Sequence, residues 1–149
     1  MGISEDIKQE KFNSEYEKTI INIIYTNAWL HQQQLQLFKS HGLTTPQYNI
    51  LRILRGQYPK PATVNLLIDR MLDKSSNASR IVDKLEQKGL VKRKQCSEDR
   101  RAVDVLISEK GLNLLEVMDV KMTEWERGSS KLTEKEAATL NSLLDKMRS

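Results

Sequence analysis

The sequence predicts a mainly α-helical fold carrying one small β-hairpin, and three observations support that expectation. Apolar residues recur at three- and four-residue spacing over most of the chain, Gly and Pro mark the boundaries of most of those stretches, and the period shifts to two only around residues 90–107. With 149 residues there is room for one core, so a single domain over 1–149 is expected. Hydrophobic residues at 38% and charged residues at 30% are too apolar a mix for a disordered tail and too polar a one for a membrane protein. No apolar run exceeds four residues, so no membrane span is expected. The start, Met1-Gly2-Ile3-Ser4-Glu5-Asp6, lacks a secretory layout and has Asp6 where a myristoylation motif needs Ser or Thr, so a cytoplasmic protein is expected. Cys96 is the sole cysteine and only His31 and His41 accompany it, so neither a disulfide scaffold nor a metal site is expected, and no cofactor.

The first long helix is expected from about Ile7 to Lys39, with Phe12, Tyr16, Ile20, Ile23, Ile24, Ala28, Leu35 and Phe38 on its apolar stripe. Thirty helical residues run about 45 Å, longer than a compact monomer of this size is wide, so part of the stripe is expected to pack on a second subunit. Gly42 stops this helix in the left-handed conformation. A second helix opens at Thr44 or Thr45 with Pro46 in its first turn, buries Tyr48, Ile50, Leu51 and Leu54, and breaks over Gly56 to Pro61. Thr63 to Leu72 reads as a short third helix burying Val64, Leu67, Ile68 and Met71.

The polar stretch Asp73-Lys74-Ser75-Ser76 then introduces a fourth helix running to Lys88, with Ala78, Ile81, Val82 and Leu85 inward. Gly89 and Leu90 are placed for a Schellman stop. Its other face aligns Asn77, Arg80, Lys84 and Lys88, three or four residues apart. A short helix, a tight polar turn and a second helix with a basic outer face form a helix-turn-helix pattern. Leu90–Cys96 and Ala102–Ile107 follow as two strands of a hairpin, a wing with Arg100 and Arg101 at or beside its tip and Asp99 near enough to orient one of them. Ser108 caps a fifth helix with Leu112, Leu115, Met118, Met122 and Trp125 at helical spacing, ending at Gly128-Ser129-Ser130. Thr133 and Glu136 form a capping box for a last helix expected to bury Leu140, Leu143, Leu144 and Met147.

The net charge of +4 is concentrated. Residues 70–101 hold ten basic and five acidic side chains, while the other 117 residues hold one more acidic than basic. Such a segment suits a polyanion, although a solvated charged face is the simpler alternative.

The order of elements, together with Leu85-Glu86-Gln87-Lys88-Gly89-Leu90-Val91, Asp99-Arg100-Arg101-Ala102-Val103 and Ser108-Glu109-Lys110-Gly111, resembles the MarR family of bacterial transcriptional regulators over nearly the whole chain. The resemblance implies a winged helix-turn-helix plus N- and C-terminal dimerisation helices, in a homodimer that binds a pseudo-palindromic site on double-stranded DNA. On this reading 44–107 form the winged helix-turn-helix, and 7–40 with 108–149 the dimerisation part. The resemblance places Ser75, Ser76, Asn77, Ser79, Arg80 and Lys84 on the helix that enters the major groove. It puts Arg101 at the wing position that enters the minor groove, with Asp99 as its acidic partner and Arg100 beside it. The turn lacks the family's common Ser-Pro-Ser pattern, and the first helix lacks the cysteine of peroxide-sensing members, which disfavours that mode of sensing.

Within the helix, Lys84 suits a phosphate contact, while Arg80 or Asn77 suits a bidentate base contact. Lys92, Arg93 and Lys94 alternate along a strand, so at most two of them point at DNA together. Cys96 reads as an inert thiol. Tyr25 and Trp29, with Met118 and Met122, are candidates for a small-molecule effector pocket; a Met and aromatic stripe at this spacing also fits core or dimer interface. The expectation is a ligand-responsive repressor. The alternative is a winged-helix protein-interaction module without DNA binding, against which the basic outer face speaks. No phosphate-binding glycine loop, nucleophile elbow or metal cluster points to an enzyme.

Overall fold

Ser14, rather than Ile7, starts the long N-terminal helix. In the computed structural model, which describes residues 2–95 and 102–149, a four-residue helix α1 (Ile3–Asp6) comes first and Lys8 takes a left-handed φ of +55°. Helix α2 (Glu15–Lys39) then begins with the Ser14 hydroxyl accepting the Glu17 N–H at 3.1 Å, while the Glu17 carboxylate accepts the Asn13 N–H. The expected helical start at Ile7 is thereby corrected: Ser14-x-x-Glu17 satisfies orphan donors and makes a terminus inside an otherwise continuous apolar pattern. At 25 residues α2 spans about 37 Å. Gly42, at φ +70°, lies just beyond its end as expected.

Helix α3 (Thr45–Gln57) is closed by a capping box between Thr44 and Gln47 and has Pro46 in its first turn. It runs through Gly56, so the break begins two residues later than the sequence suggested. Strand β1 (Ala62–Thr63) and helix α4 (Val64–Arg70) follow, the latter capped by Thr63. Within α4 Leu67 is buried, as is Met71 just after it, whereas Ile68 is exposed. Helix α5 (Ala78–Gln87) ends in the expected Schellman stop: Leu90 N–H donates to Leu85 O at 3.0 Å, Gly89 N–H donates to Glu86 O at 2.9 Å, and Gly89 sits at φ +74°.

Strands β2 (Val91–Gln95) and β3 (Val103–Ile107) pair antiparallel, Arg93 opposite Val105 and Lys94 opposite Asp104. The hairpin is one edge of a three-stranded sheet in the order β1-β3-β2, because Ala62 pairs with Val105. Two residues are too short to show a period, which is why β1 was not foreseen. Asp99, Arg100 and Arg101, the expected wing tip, lie outside the described residues, as does Cys96.

Helix α6 (Glu109–Ser129) starts where Ser108 joins three elements. Its hydroxyl donates to Gly89 O at 2.7 Å and accepts the Gly111 N–H at 3.1 Å, and its own N–H donates to Leu90 O at 3.0 Å. A Cβ on Gly111 would come within 2.4 Å of Leu90 O and 2.7 Å of Ile107 Cγ1, so only glycine lets α6 press this closely on the strand ends. The core lies among α3, α4, α5, the sheet and α6: Ile50, Leu51, Leu54, Leu67, Val82, Leu85, Val105, Ile107, Leu115 and Met118 are essentially without solvent contact. From α2 only Phe38 is buried, stacked on Tyr48 with ring centroids 4.5 Å apart. Arg55 and Asp119 join α3 to α6 through a bidentate pair at 2.8 and 3.0 Å.

Helix α7 (Glu134–Arg148) has the expected Thr133–Glu136 capping box but buries no residue. Leu140, Leu143, Leu144 and Met147 instead border an open groove with Ile23, Thr26 and Leu30 of α2, and Leu143 is 57% exposed. The expected burial of these four is thus not met within one chain. Among the described residues no helix is long and apolar enough to cross a membrane.

Candidate nucleic-acid interface

The turn between α4 and α5 is held by side chains rather than by Gly or Pro. Asn49 of α3 accepts the Leu72 N–H at 3.0 Å. The Asp73 carboxylate accepts both the hydroxyl (2.6 Å) and the N–H (3.0 Å) of Ser75, and the Ser75 hydroxyl, followed by that N–H, keeps its acid below the usual range. Lys74 places its ammonium on the last carbonyls of α4, those of Ile68 and Asp69, where the helix dipole favours a cation. The Asn77 side chain then caps α5 by accepting the Arg80 N–H at 3.1 Å. Ser75 and Ser76 therefore lie in the turn, not on the helix, which corrects the resemblance-based placement. Asn77 lends its oxygen to the backbone, so while it caps it cannot supply both halves of a bidentate base contact.

Helical periodicity divides α5 into three stripes, each with spacing i, i+4, i+7. Ala78, Val82 and Leu85 form the first and are buried. Arg80, Lys84 and Gln87 form the second; all three are exposed, and the Arg80 and Lys84 side chains make no hydrogen bond or ion pair among the described residues. Gln87 shares this face but drew no attention in the sequence because it is uncharged. Ser79, Asp83 and Glu86 form the third stripe, beside β2. There the Arg93 guanidinium pairs with the Asp83 carboxylate and donates to Ser79 O at 3.4 Å, while the Arg93 N–H donates to the Glu86 carboxylate at 3.2 Å.

The basic segment therefore does several jobs. Lys88, expected on the outer face, folds back: its ammonium donates to Gly42 O and to Gln47 Oε1 (3.1 Å), tying the end of α5 to the α2–α3 junction. Lys110 in turn donates to Lys88 O at 2.8 Å. Arg93 is turned toward α5, and strand alternation puts Lys92 and Lys94, both exposed, on the opposite face of the sheet. Arg80 and Lys84 are left as the cations of α5 that face solvent.

The proposed effector residues fall into two settings. Tyr25 and Trp29 border a shallow surface depression with Ile3, Asp6, Asn22 and Thr26, while Met118 and Met122 are packed in the core. Trp125 is anchored by its indole N–H to Gln33 Oε1 at 2.9 Å, and His31 is exposed. Among the described residues no group of three or more His, Cys, Asp or Glu side chains could hold a metal ion.

Comparison with known proteins adds four findings. A family model described as the MarR family matches residues 43–103. The HTH-type transcriptional regulator MhqR of Bacillus subtilis is 32% identical over 108 residues, covering 72% of this chain and 73% of that protein. Among solved structures, a MarR transcription factor from Planctomyces limnophilus superposes with a TM-score of 0.69 at 27% identity, covering 91% of this chain and 98% of the other. The S. aureus MepR–DNA complex shares the fold, with a TM-score of 0.73 at 21% identity over 84% of this chain and 90% of that one.

Proposed function

Because this chain belongs to the MarR family of DNA-binding transcriptional regulators, rather than to an enzyme family, we propose that it acts as a homodimeric repressor. On this reading each subunit of the dimer sets α5 into the major groove of a pseudo-palindromic duplex. Residues 44–107 serve as the DNA-reading part, and α2, α6 and α7 as the dimerisation part.

The observation that carries the DNA assignment is the outer stripe of α5. Arg80 and Lys84 project from the second helix of a helix-turn-helix, in the most basic segment of the chain, without an internal partner among the described residues. Arg80 has the fork that reads guanine and Lys84 the point charge that suits phosphate. Ser79 and Gln87 flank them, Ser75, Ser76 and Asn77 order the helix start, and on the wing Arg101, with Asp99 as its support, is assigned to the minor groove by family likeness alone, with Arg100 beside it for phosphate. The dimer is supported by apolar side chains that the chain leaves uncovered on α2, α6 and α7, among them Tyr16, Ile24, Val117, Val120, Leu143 and Met147. A small-molecule effector completes the proposal. Acting near Tyr25 and Trp29, or by disturbing the packing of Met118 and Met122, it would move the two recognition helices off a separation of about 34 Å, one turn of DNA.

Fluorescence anisotropy with a duplex selected from a random pool by the wild-type protein tests the DNA assignment. Arg80→Ala is expected to relax preference at one symmetric pair of positions, costing about 1–3 kcal/mol of discrimination per site. Unchanged affinity and sequence preference in this variant would remove α5 from the groove.

A further inference from the structure

Asp83 and Glu86 are acidic side chains inside the most basic stretch of the molecule, on the helix assigned to the groove, where negative charge by itself opposes a phosphate backbone. Both spend that charge on one residue of β2. Asp83 takes the Arg93 guanidinium, Glu86 takes the Arg93 N–H, and Ser79 O on the same stripe receives a second bond from the guanidinium. Three contacts thus converge from one flank of α5 onto one position of the strand that leads into the wing. Elsewhere the two elements are joined by Leu90 and Val91 at the base of the hairpin, where Leu90 N–H closes the Schellman stop. Arg93 lies two residues further along β2 and holds the strand where the buried packing has ended, since Val91 is the last buried residue of that strand.

We propose that Arg93 is a positioning residue for DNA binding: with Asp83 and Glu86 it fixes the angle between the wing and the recognition helix, so that the two reach their grooves together. The inference rests on the DNA-binding reading of α5. Because Arg93 and Asp83 are both partly exposed, the pair adds little to global stability. Its effect falls on the geometry that the folded protein presents to DNA, where positioning and stability separate.

The sign of one variant decides the matter. Asp83→Asn removes a negative charge beside DNA, so charge alone makes binding tighter, whereas loss of the tie makes it weaker. With the selected duplex at fixed salt, well below the melting temperature, Asp83→Asn and Arg93→Gln are each expected to lose about tenfold in affinity, within the range for coupled neighbouring side chains. The double variant Asp83→Asn/Arg93→Gln should be no worse than either single one. The reversed pair, Asp83→Arg with Arg93→Asp, should recover most of the affinity, which no loss of folding explains. Tighter or unchanged binding by Asp83→Asn, or additive losses in the double variant, would overturn the proposal. Arg80→Ala, run alongside, separates the two assignments: if it binds less well while Asp83→Asn does not, only the positioning role fails, and if it has no effect the groove assignment of α5 fails first.

Discussion

The winged-helix half and the long helices that flank it obey the same patterning rules and reach opposite outcomes. In the winged half the inward apolar residues are buried by the same chain: Ile50, Leu51, Leu54, Leu67, Val82, Leu85, Val105 and Ile107 close on one another from three helices and a sheet. In the flanking part α7 buries no residue, α2 buries only Phe38, and Tyr16 stands 84% exposed. A periodic apolar stripe thus says that a helix has something to cover, not that its own chain supplies the cover. The winged half closes its core with Leu115, Met118 and Met122 of α6, whereas α2 and α7 leave most of their apolar stripes uncovered.

Three changes sharpen this contrast, in order of expected effect. Leu85→Ala removes a fully buried side chain from the recognition helix and is expected to cost about 3 kcal/mol in urea unfolding. That loss should be the same at every protein concentration, because the site is filled from within the chain. Leu143→Glu, on the exposed face of α7, should instead weaken subunit association by about tenfold or more. Light scattering would show the shift to monomer, and the melting temperature would lose its dependence on concentration. If Leu143→Glu leaves the assembly intact, α7 is not part of the subunit interface and the contrast between the halves needs another explanation.

The smallest effect concerns the start of α7. The Glu136 carboxyl is held below its ordinary value of 4.5, chiefly by the Thr133 N–H and then by the Thr133 hydroxyl. Its contribution is therefore present in full above that ordinary value and is lost as the pH falls through the lowered folded value. Helicity measured by circular dichroism should show a slight acid-dependent loss that Glu136→Gln lacks. A loss of equal size in both proteins would assign it to other carboxylates.

Much of the fold was legible because its local signals agree with its packing. The Thr133 capping box, the Ser108 cap, the Gly89–Leu90 stop and the alternation from Val103 to Ile107 each require only neighbours in the chain, and each is present. The Ser14 start was equally local but was hidden beneath an apolar period that runs through it. At the site, the spacing of Arg80 and Lys84 on one outer stripe could be read from the sequence. The helix start was not, because Asn77, rather than either serine, captured the free N–H of Arg80.

What the sequence determined by itself is the longer helices, the hairpin strands and the family, since periodicity, caps and stops act over a few residues. What only the tertiary structure decided is which charges are spent inside the protein. Lys88 finds Gly42 and Gln47, 46 and 41 residues away along the chain, and Arg93 finds Asp83 across the gap between strand and helix. A lysine or arginine carries the same charge wherever it points, so its spacing cannot tell a contact with DNA from a tie within the fold. Only the folded geometry brings an acceptor within reach of Lys88 and Arg93 and leaves Arg80 and Lys84 facing water.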